Sequence, residues 1–510
     1  MRFYDFCVSS LRTRTSPRST LIVLMIGIGC LAFLIRFLSV MRGGGLLSLS
    51  DYDGVVYYTG ADSLIAGRVP YADFVLLHPP GILVVLAPFA ALGHVFSDST
   101  GYAVARVAFM ALGALNAVLL AKLAGRLGLV AAAVAGVFYA VWNPSLYADR
   151  TTLLEPLGTT ALLVALLVLL VNPRVTSRSQ VIAGVAIGLG ATVKIWGVIP
   201  VLVIVLWQFR SGGMKAAARV AAGAAAAIAA VCLPFFLLAP GPMFRMVILD
   251  QLERPVIHAS VLSRLASIGS LSVTGLKAGS TNFDMVVFGL CLALAAAAVM
   301  TWRRRQLRIV VILLAATGTV LITSPSYFRH YAEFVAVPIA LVVACAFQQI
   351  TDWARTRHFS LRLVAGSLIV APLAVLVMSA SSVSFGSRIA WTSQDTVADV
   401  PGCVYADDPA GLIAFNVLSS DLRRGCHVWV DVTGLTYDPA AKLVVDGLPV
   451  PRLRNPVWQR DLVDYLSSGS AAIILRHPAA VLTHANNQEI REMHRLATTS
   501  NYSIFAARRS

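Results

Sequence analysis

The sequence predicts an α-helical polytopic membrane protein with a small extracytoplasmic α/β domain at its C-terminal end. Three observations lead to this fold class. The chain is 57% hydrophobic and 13% charged, whereas a soluble protein of this length has about 25% charged residues. Many apolar runs approach the ~20 residues that cross a bilayer. Around residue 390 these runs stop and polar residues become frequent.

The net charge of +16 would suggest a nucleic-acid partner in a soluble chain. Here Lys and Arg gather between apolar runs, which is the bias expected of cytoplasmic loops, so no nucleic-acid partner is expected. Residues 1–20 are basic, and the run 21–40 is too long for a signal peptide. We therefore expect a multi-pass protein of the cytoplasmic (inner) membrane with a cytoplasmic N-terminus.

The segment 81–96 is the ambiguous one. If it crosses the membrane, basic loops fall outside, so we expect an interfacial or re-entrant helix kinked at Pro88. The short spans 181–193 and 195–209 should then meet in a hairpin around Lys194. This assignment leaves eleven spans, at 21–40, 102–121, 127–142, 152–171, 181–193, 195–209, 216–238, 285–302, 309–323, 331–347 and 361–379.

The domain prediction follows from these spans. Residues 1–20 form a cytoplasmic segment, 21–389 a transmembrane catalytic domain with the outer loop 41–101, and 390–510 an extracytoplasmic α/β domain. Cys403 and Cys426 lie in that last domain, and the sequence leaves open whether they form a disulfide. Its predicted strands are 403–407, 471–475 and 503–507, and its predicted helices are 408–422 and 488–497.

Polar and charged residues from five distant loops gather at the predicted outer face. Such residues are expensive to place in a membrane protein and mark function. The loops contribute Asp51, Asp53, Arg68, Asp73 and His78; Asp149, Arg150 and Glu155; Lys194; Asp250, Glu253, Arg254, His258 and Arg264; and Arg329, His330 and Tyr331.

This set suits group transfer from a lipid phosphate. Asp51 and Asp53 supply carboxylates that could act as a general base. Lys194, Arg329 and His330 supply cations for a phosphate leaving group. The two acidic residues also leave a divalent cation open, although two carboxylates alone are a weak metal signal. No other cofactor is indicated.

Plainer interpretations stay open for several of these residues. Lys194 could extend its charge to the membrane surface, and Arg329 could anchor a helix end. His78 could cap the helix that Pro79 begins. Glu155 could pair with Arg150. Arg254 and His258, in the loop 240–284, are expected to be structural.

Several motifs resemble the GT-C glycosyltransferases. Asp53-Gly54-Val55-Val56-Tyr57, the run 66–74 and His78-Pro79-Pro80-Gly81 resemble their first outer loop. The most similar branch is the protein O-mannosyltransferase and aminoarabinose transferase-like group (glycosyltransferase 39-like), actinobacterial type. Looser matches are the run 153–157, Lys194, the run 329–331, and the C-terminal runs 405–409 and 431–434.

The resemblance implies an inverting transferase that moves a sugar from a polyprenyl-phosphate donor to a glycan, glycolipid or protein acceptor outside the cytoplasmic membrane. Mannose and arabinose are the sugars it suggests, so the enzyme would be a hexosyl- or pentosyltransferase. The catalytic carboxylate falls on Asp53, with Asp51 as second candidate, because the family's adjacent acidic residue is here Tyr52 or Gly54. Lys194, with Arg329 and His330, would bind the donor phosphate.

The remaining matched residues would bind substrate: His78, Glu155, Arg68 and Tyr331. Two other functions make different predictions for the sequence. A lipid-linked sugar transporter or flippase predicts inverted repeats and polar residues at the bilayer midplane, and the sequence shows neither. A non-catalytic scaffold of the cell envelope predicts loss of the carboxylate pair, and both residues are present.

Overall fold

Long helices account for most of the first 356 residues. The computed structural model describes residues 17–48, 51–171, 175–254, 259–271, 278–356, 397, 400–437, 443–445, 448–476, 482–499 and 501–506. The helices in the first part of the chain are α1 Pro17–Arg42, α2 Tyr52–Ile65, α3 Gly81–Val95, α4 Asp98–Ala124, α5 Leu129–Val141, α6 Asn143–Asp149, α7 Glu155–Leu170, α8 Ser177–Ala191, α9 Val198–Leu238, α10 Pro240–Phe244, α11 Asp250–Leu252, α12 Val261–Ile268, α13 Thr281–Trp302, α14 Arg308–Thr323 and α15 Ala336–Thr356.

Membrane-spanning helices are present, as the sequence predicts. Among the described residues, six helices are long and apolar enough to cross a bilayer, or seven if the bent pair α5 and α6 counts as one span. The predicted number of eleven is not confirmed. Two predicted spans are helices of only 15 or 16 residues, α7 and α8. The predicted span 361–379 and the boundary at residue 390 lie outside the described residues.

The predicted hairpin around Lys194 is present. Helix α8 ends at Ala191, and a 3₁₀ turn at Ile195–Gly197 leads into α9. Helix α9 itself reverses at Gly213, whose φ of 77° is outside the helical range. Gln208 and Arg219, on either side of it, both contact Gln180. A straight helix would separate Gln208 from Arg219 by about 16 Å. Because both contact the same side chain, α9 consists of two helical segments, as the predicted spans 195–209 and 216–238 require.

Helix α3 has the predicted interfacial length. It covers 15 residues with Pro88 inside, which is short of the ~20 residues that a bilayer needs. One face is buried, with Ile82, Leu83 and Leu86 at 0% exposure, while Val95 at its end is 74% exposed. The helix therefore packs on the bundle along one side and leaves the other apolar side open.

The C-terminal unit is a small α/β fold, as predicted. Its sheet has the order β1-β4-β6-β5, with β1 and β4 parallel and the other pairs antiparallel. A two-stranded ribbon pairs β2 with β3. The elements are β1 Val404–Ala406, α16 Pro409–Ala414, α17 Leu418–Arg423, β2 Val444–Val445, β3 Leu448–Pro449, α18 Pro456–Ser468, β4 Ala471–Leu475, α19 His484–Arg491, β5 His494–Thr498 and β6 Tyr502–Ala506.

Two sequence predictions in this unit are wrong in detail. The single helix expected over 408–422 is split into α16 and α17 at Asn416, which has a φ of 54°. The helix expected over 488–497 ends at Arg491, and the chain continues as β5 along the antiparallel partner β6. Pairing with a neighbouring strand overrides local helix propensity there. Cys403 and Cys426 are joined by a disulfide.

The C-terminal unit packs against the predicted outer loop. Ser419 donates its amide to the Asp98 carboxylate at 3.2 and 3.3 Å and its hydroxyl to Asp62 at 3.2 Å. Arg68 donates to the carbonyl of Val428 at 2.8 Å. One apolar core continues from α2 and α3 into this unit. The outer loop and the C-terminal unit therefore lie on one side of the helical bundle.

The expected orientation can be tested with two single-cysteine variants in a background without the free cysteines. Arg460, in the C-terminal unit, and Arg304, between α13 and α14, are both exposed. We expect a membrane-impermeant maleimide to label Arg460→Cys in intact cells and Arg304→Cys only after lysis, because basic loops stay in the cytoplasm. The reverse pattern would invert the orientation.

Candidate active site

The N-terminus of α2 is fixed by its own first residues. Asp51 is the N-cap, and its carboxylate accepts from the Gly54 amide at 2.9 Å. A Cβ on Gly54 would lie 2.6 Å from Thr151 Oγ1, so this close approach requires glycine. The Thr152 hydroxyl donates to the Gly54 carbonyl at 2.7 Å. These contacts hold the first turn of α2 against the segment that leads into α7.

Asp53 is the more accessible of the two carboxylates. Its Oδ2 lies 3.8 Å from His330 Nε2, and its side chain is 43% exposed. Although part of it is accessible, the surrounding protein displaces enough water, and Asp51 lies near enough, to raise the pKa of Asp53 to about 6. Asp51, in contrast, is engaged as a helix cap. Asp53 is therefore the carboxylate that can meet a ligand.

Lys194 sits in a cage of one carboxylate and two aromatic rings. Its Nζ is 2.6 Å from Glu155 Oε1. The same atom lies 3.7 Å from the ring centroid of Tyr331 and 4.5 Å from that of Trp196. The Lys194 side chain is 12% exposed, so it does not extend into solvent, and Glu155 pairs with Lys194 instead of Arg150. Both plainer interpretations of these two residues are therefore wrong.

Arg254 joins this cluster, against the expectation that it is structural. Its guanidinium donates to the Tyr331 hydroxyl at 2.9 Å. Its charge also acts on Asp53, whose pKa it lowers in part. The sequence signal was weak because Arg254 lies in an irregular loop far along the chain from both partners. His258, in the same loop, lies outside the described residues.

His330 and the aromatic ring of Tyr147 form a second wall. The two rings stack at 6.2 Å between centroids. Arg150 lies over Tyr147 at 4.7 Å and Arg329 at 5.9 Å. Arg329, predicted to bind phosphate, is thus beside Tyr147, while the arginine whose charge acts on Asp53 is Arg254.

His78 faces the cluster from the outer loop. Its ring packs edge-on against Tyr57 at 5.7 Å. Helix α3 has Pro80 as its N-cap without a side-chain hydrogen bond, so His78 does not cap it. Burial, then Arg254 and Lys194, lowers the pKa of His78 well below its ordinary value, which keeps the ring neutral.

An apolar cleft begins at the Lys194–Glu155 pair. It contains about 580 Å³ of unfilled space, its open mouth included, and runs between α7, α8, α9 and the start of α15. Leu162, Ile187 and Val337 line it. A Cβ on Gly158 would meet nothing within 4 Å, so the wall is open there. The cleft has a charged head and an apolar body, which is the shape of a site for an amphipathic ligand.

A buried polar network joins the helix and the 3₁₀ turn that carry Tyr147, His330 and Tyr331. Arg36 of α1 and Asp149 of α6 pair at 2.5 Å, both with fully buried side chains. The Tyr139 hydroxyl lies 3.2 Å from Asp149 Oδ1 and 2.6 Å from Glu333 Oε1. Thr159 of α7 donates to Glu333 at 3.1 Å. A charged residue inside an apolar run is the sequence signal that identifies Arg36 and Glu333.

Arg68 is the predicted site residue that the structure leaves out of the cluster. It donates to the carbonyls of Val428 and Asp73, and its guanidinium lies 5.5 Å from the Phe74 ring centroid. It therefore ties the outer loop to the C-terminal unit. Within the described ranges, no group of three or more His, Cys, Asp or Glu side chains could hold a metal ion.

Comparisons with known proteins agree with this architecture. The model of glycosyltransferase family 87 matches residues 76–325. No curated protein sequence matches the chain significantly. Among solved structures, ArnT from Cupriavidus metallidurans in the apo state superposes with a TM-score of 0.56 at 16% identity, over 96% of this chain and 98% of ArnT.

Two further structures share the fold. ArnT from the same organism bound to undecaprenyl phosphate has a TM-score of 0.56 at 15% identity, over 96% of this chain and 98% of that one. The archaeal oligosaccharyltransferase AglB from Archaeoglobus fulgidus, in complex with an inhibitory peptide and a dolichol-phosphate, has a TM-score of 0.50 at 14% identity, over 75% of this chain and 58% of AglB. The GT-C fold expected from the sequence is confirmed.

The buried Lys194–Glu155 pair should contribute to stability only as a pair. We expect Glu155→Leu to lower the free energy of unfolding by about 3 kcal/mol, because Lys194 keeps a buried charge without its carboxylate. The double variant Glu155→Leu/Lys194→Met should recover most of that loss. Unfolding of the purified protein in detergent measures both. Equal destabilisation by the single and double variants would contradict the interpretation.

Proposed function

We propose that this chain, a membrane protein with the GT-C fold of glycosyltransferases, transfers a sugar from a polyprenyl-phosphate donor to an acceptor hydroxyl outside the cytoplasmic membrane. The observation that carries the proposal is the arrangement around the cleft. An accessible carboxylate, Asp53, lies within electrostatic reach of Arg254 and Lys194. Lys194 in turn lines the charged end of an apolar cleft. Mannose and arabinose remain the expected sugars.

Unpaired polar atoms support a ligand at this place. Glu155 Oε2, Arg254 Nε and His78 Nδ1 are buried and have no hydrogen-bond partner in the described part of the chain. A buried polar atom without a partner costs about 1–3 kcal/mol. Glu155 needs a hydrogen-bond donor and Arg254 needs an acceptor. A sugar phosphate offers both, since it has hydroxyl groups and anionic oxygens.

The proposed reaction is a direct displacement at the anomeric carbon. Asp53 takes the proton of the acceptor hydroxyl as the acceptor oxygen forms its bond to that carbon. The bond from the anomeric carbon to the phosphate oxygen breaks on the opposite face, which inverts the configuration. The electron pair of that bond stays on the departing polyprenyl phosphate.

The cationic side chains would stabilise the departing phosphate. Negative charge grows on the phosphate oxygen as its bond to the sugar breaks, and preorganised cations stabilise that charge without reorganising. Lys194 and Arg254 are held in advance by Glu155 and Tyr331. Arg329 and His330 flank the same region on the other wall. The prenyl chain would lie in the apolar cleft.

The role of Asp53 as general base can be tested by mutation. We expect Asp53→Asn to lower transfer by about 100- to 10,000-fold, since an amide accepts no proton at neutral pH, and Asp51→Asn to retain most activity. Wild-type activity should fall as the pH drops through about 6, because Asp53 must be ionised to act. Membranes supplied with radiolabelled polyprenyl-phosphate sugars, at matched expression, provide the measurement.

The outcomes separate the alternatives. Transfer that survives in Asp53→Asn but not in Asp51→Asn would assign the base to Asp51. Wild-type membranes that transfer no sugar from any donor would contradict the proposed activity.

The role of Lys194 and Arg254 in phosphate binding can be tested by titration. We expect Lys194→Gln and Arg254→Gln each to weaken binding of undecaprenyl phosphate to the purified chain about tenfold or more, which corresponds to one charge-assisted hydrogen bond. Arg68→Gln is the matched control, since Arg68 contacts Val428 and Asp73. Titration in detergent measures the dissociation constants. Equal loss in all three variants would indicate a nonspecific effect of charge.

A further inference from the structure

The C-terminal unit reaches the candidate active site at the residue between the two acidic positions. The Tyr52 hydroxyl donates to Asp431 Oδ1 at 3.0 Å and accepts from the Thr433 amide at 2.9 Å. Tyr52 directly precedes Asp53 in the first turn of α2. Tyr52 is one of the two positions, with Gly54, at which the GT-C resemblance leads us to expect an acidic residue.

The Asp431 side chain is held in one orientation. Its Oδ1 accepts from Tyr52, from the Thr433 hydroxyl at 3.2 Å and from the Gly434 amide at 2.7 Å. A Cβ on Gly434 would lie 2.2 Å from Asp431 Oδ2, so glycine leaves room for this oxygen. Oδ2 receives no hydrogen bond from the part of the chain that the structure describes. The carboxylate is thus oriented through one oxygen and keeps the other for a further partner.

Asp431 lies near the reacting groups of the proposed mechanism. Its negative charge acts on Asp53, and Arg254 acts on Asp431 in turn. Tyr437, from the 3₁₀ turn Gly434–Tyr437 that follows, is also within electrostatic reach of Arg254. The C-terminal unit therefore borders the site beside Asp53 and Arg254, whereas none of its described residues lines the apolar cleft. A lipid donor in the cleft leaves this border to the acceptor.

We propose that Asp431 is a positioning residue for the acceptor: its free oxygen binds a hydroxyl group of the acceptor while Asp53 meets the hydroxyl that reacts. The inference rests on the proposed function. Two carboxylates, Asp53 from α2 and Asp431 from the C-terminal unit, then hold neighbouring hydroxyl groups of one acceptor molecule. This orients the reacting oxygen toward the anomeric carbon. The C-terminal unit becomes part of the active site through the Tyr52 hydroxyl.

The test compares Asp431→Asn with wild type in the same transfer assay. The donor is the radiolabelled polyprenyl-phosphate sugar that supports wild-type transfer, and the acceptor is the membrane fraction that becomes labelled. Asn can keep the contacts to Oδ1 while removing the charge. We expect the KM for the acceptor to rise about tenfold, which corresponds to one hydrogen bond to a charged group. The affinity for undecaprenyl phosphate should stay within about twofold, since Asp431 does not line the cleft.

The pH profile gives a readout that a merely structural role would not change. Asp51, Asp431, His330 and Arg254 all act on Asp53. Removing one of the two negative neighbours should move the acidic limb of kcat/KM to lower pH by roughly half a unit. Tyr52→Phe should raise the acceptor KM in the same direction, because it frees Asp431. Asp464→Asn, on the exposed side of α18, is the matched control and should change neither value.

The possible outcomes distinguish this inference from the proposed function. Wild-type transfer with unchanged acceptor KM and pH profile in Asp431→Asn overturns this inference and leaves the proposed function intact. If Asp431→Asn loses both its affinity for undecaprenyl phosphate and its transfer activity, the role of Asp431 is structural, which also overturns this inference. A wild-type chain that transfers no sugar overturns the proposed function, and this inference with it.

Discussion

The candidate site depends on a hydrogen-bonded charge network that the helical bundle encloses. Arg36 and Asp149 are both fully buried, and a buried charge is tolerated only when it is paired. Tyr139 extends this pair to Glu333. Asp149 ends α6, which also carries Tyr147, and Glu333 lies in the 3₁₀ turn that carries His330 and Tyr331. Loss of the network would therefore displace both walls of the site.

The same constraint explains the Lys194 cage. At the end of a short helical hairpin Lys194 has little water around it, so its charge is satisfied by Glu155 and by the faces of Trp196 and Tyr331. This pairing also prepares Lys194 for a phosphate, because the side chain is already ordered. The cleft beyond it stays apolar, and the boundary between charged head and apolar body falls at this residue.

Much of the fold could be predicted from the sequence because bilayer thickness and charge bias act locally. Apolar run length predicted α1, α4, α13 and α14 almost at their observed ends. The same reasoning gave the interfacial length of α3 and the hairpin at Lys194. The same reasoning failed where a distant partner determines the secondary structure: β5 is a strand because it pairs with β6. Asn416 breaks a helix at a left-handed residue that no pattern indicated.

By itself the sequence determined that the chain is a multi-pass helical protein, that polar residues gather at one face, and that Asp53 and Lys194 are prominent among them. Those features follow from composition, spacing and motif. Only the tertiary structure decided that Glu155 pairs with Lys194, that Arg254 joins the site while Arg68 does not, and that Asp431 lies beside Tyr52. The physical reason is that such contacts join residues as much as 379 positions apart, and their free energy depends on burial and distance, which local sequence does not encode.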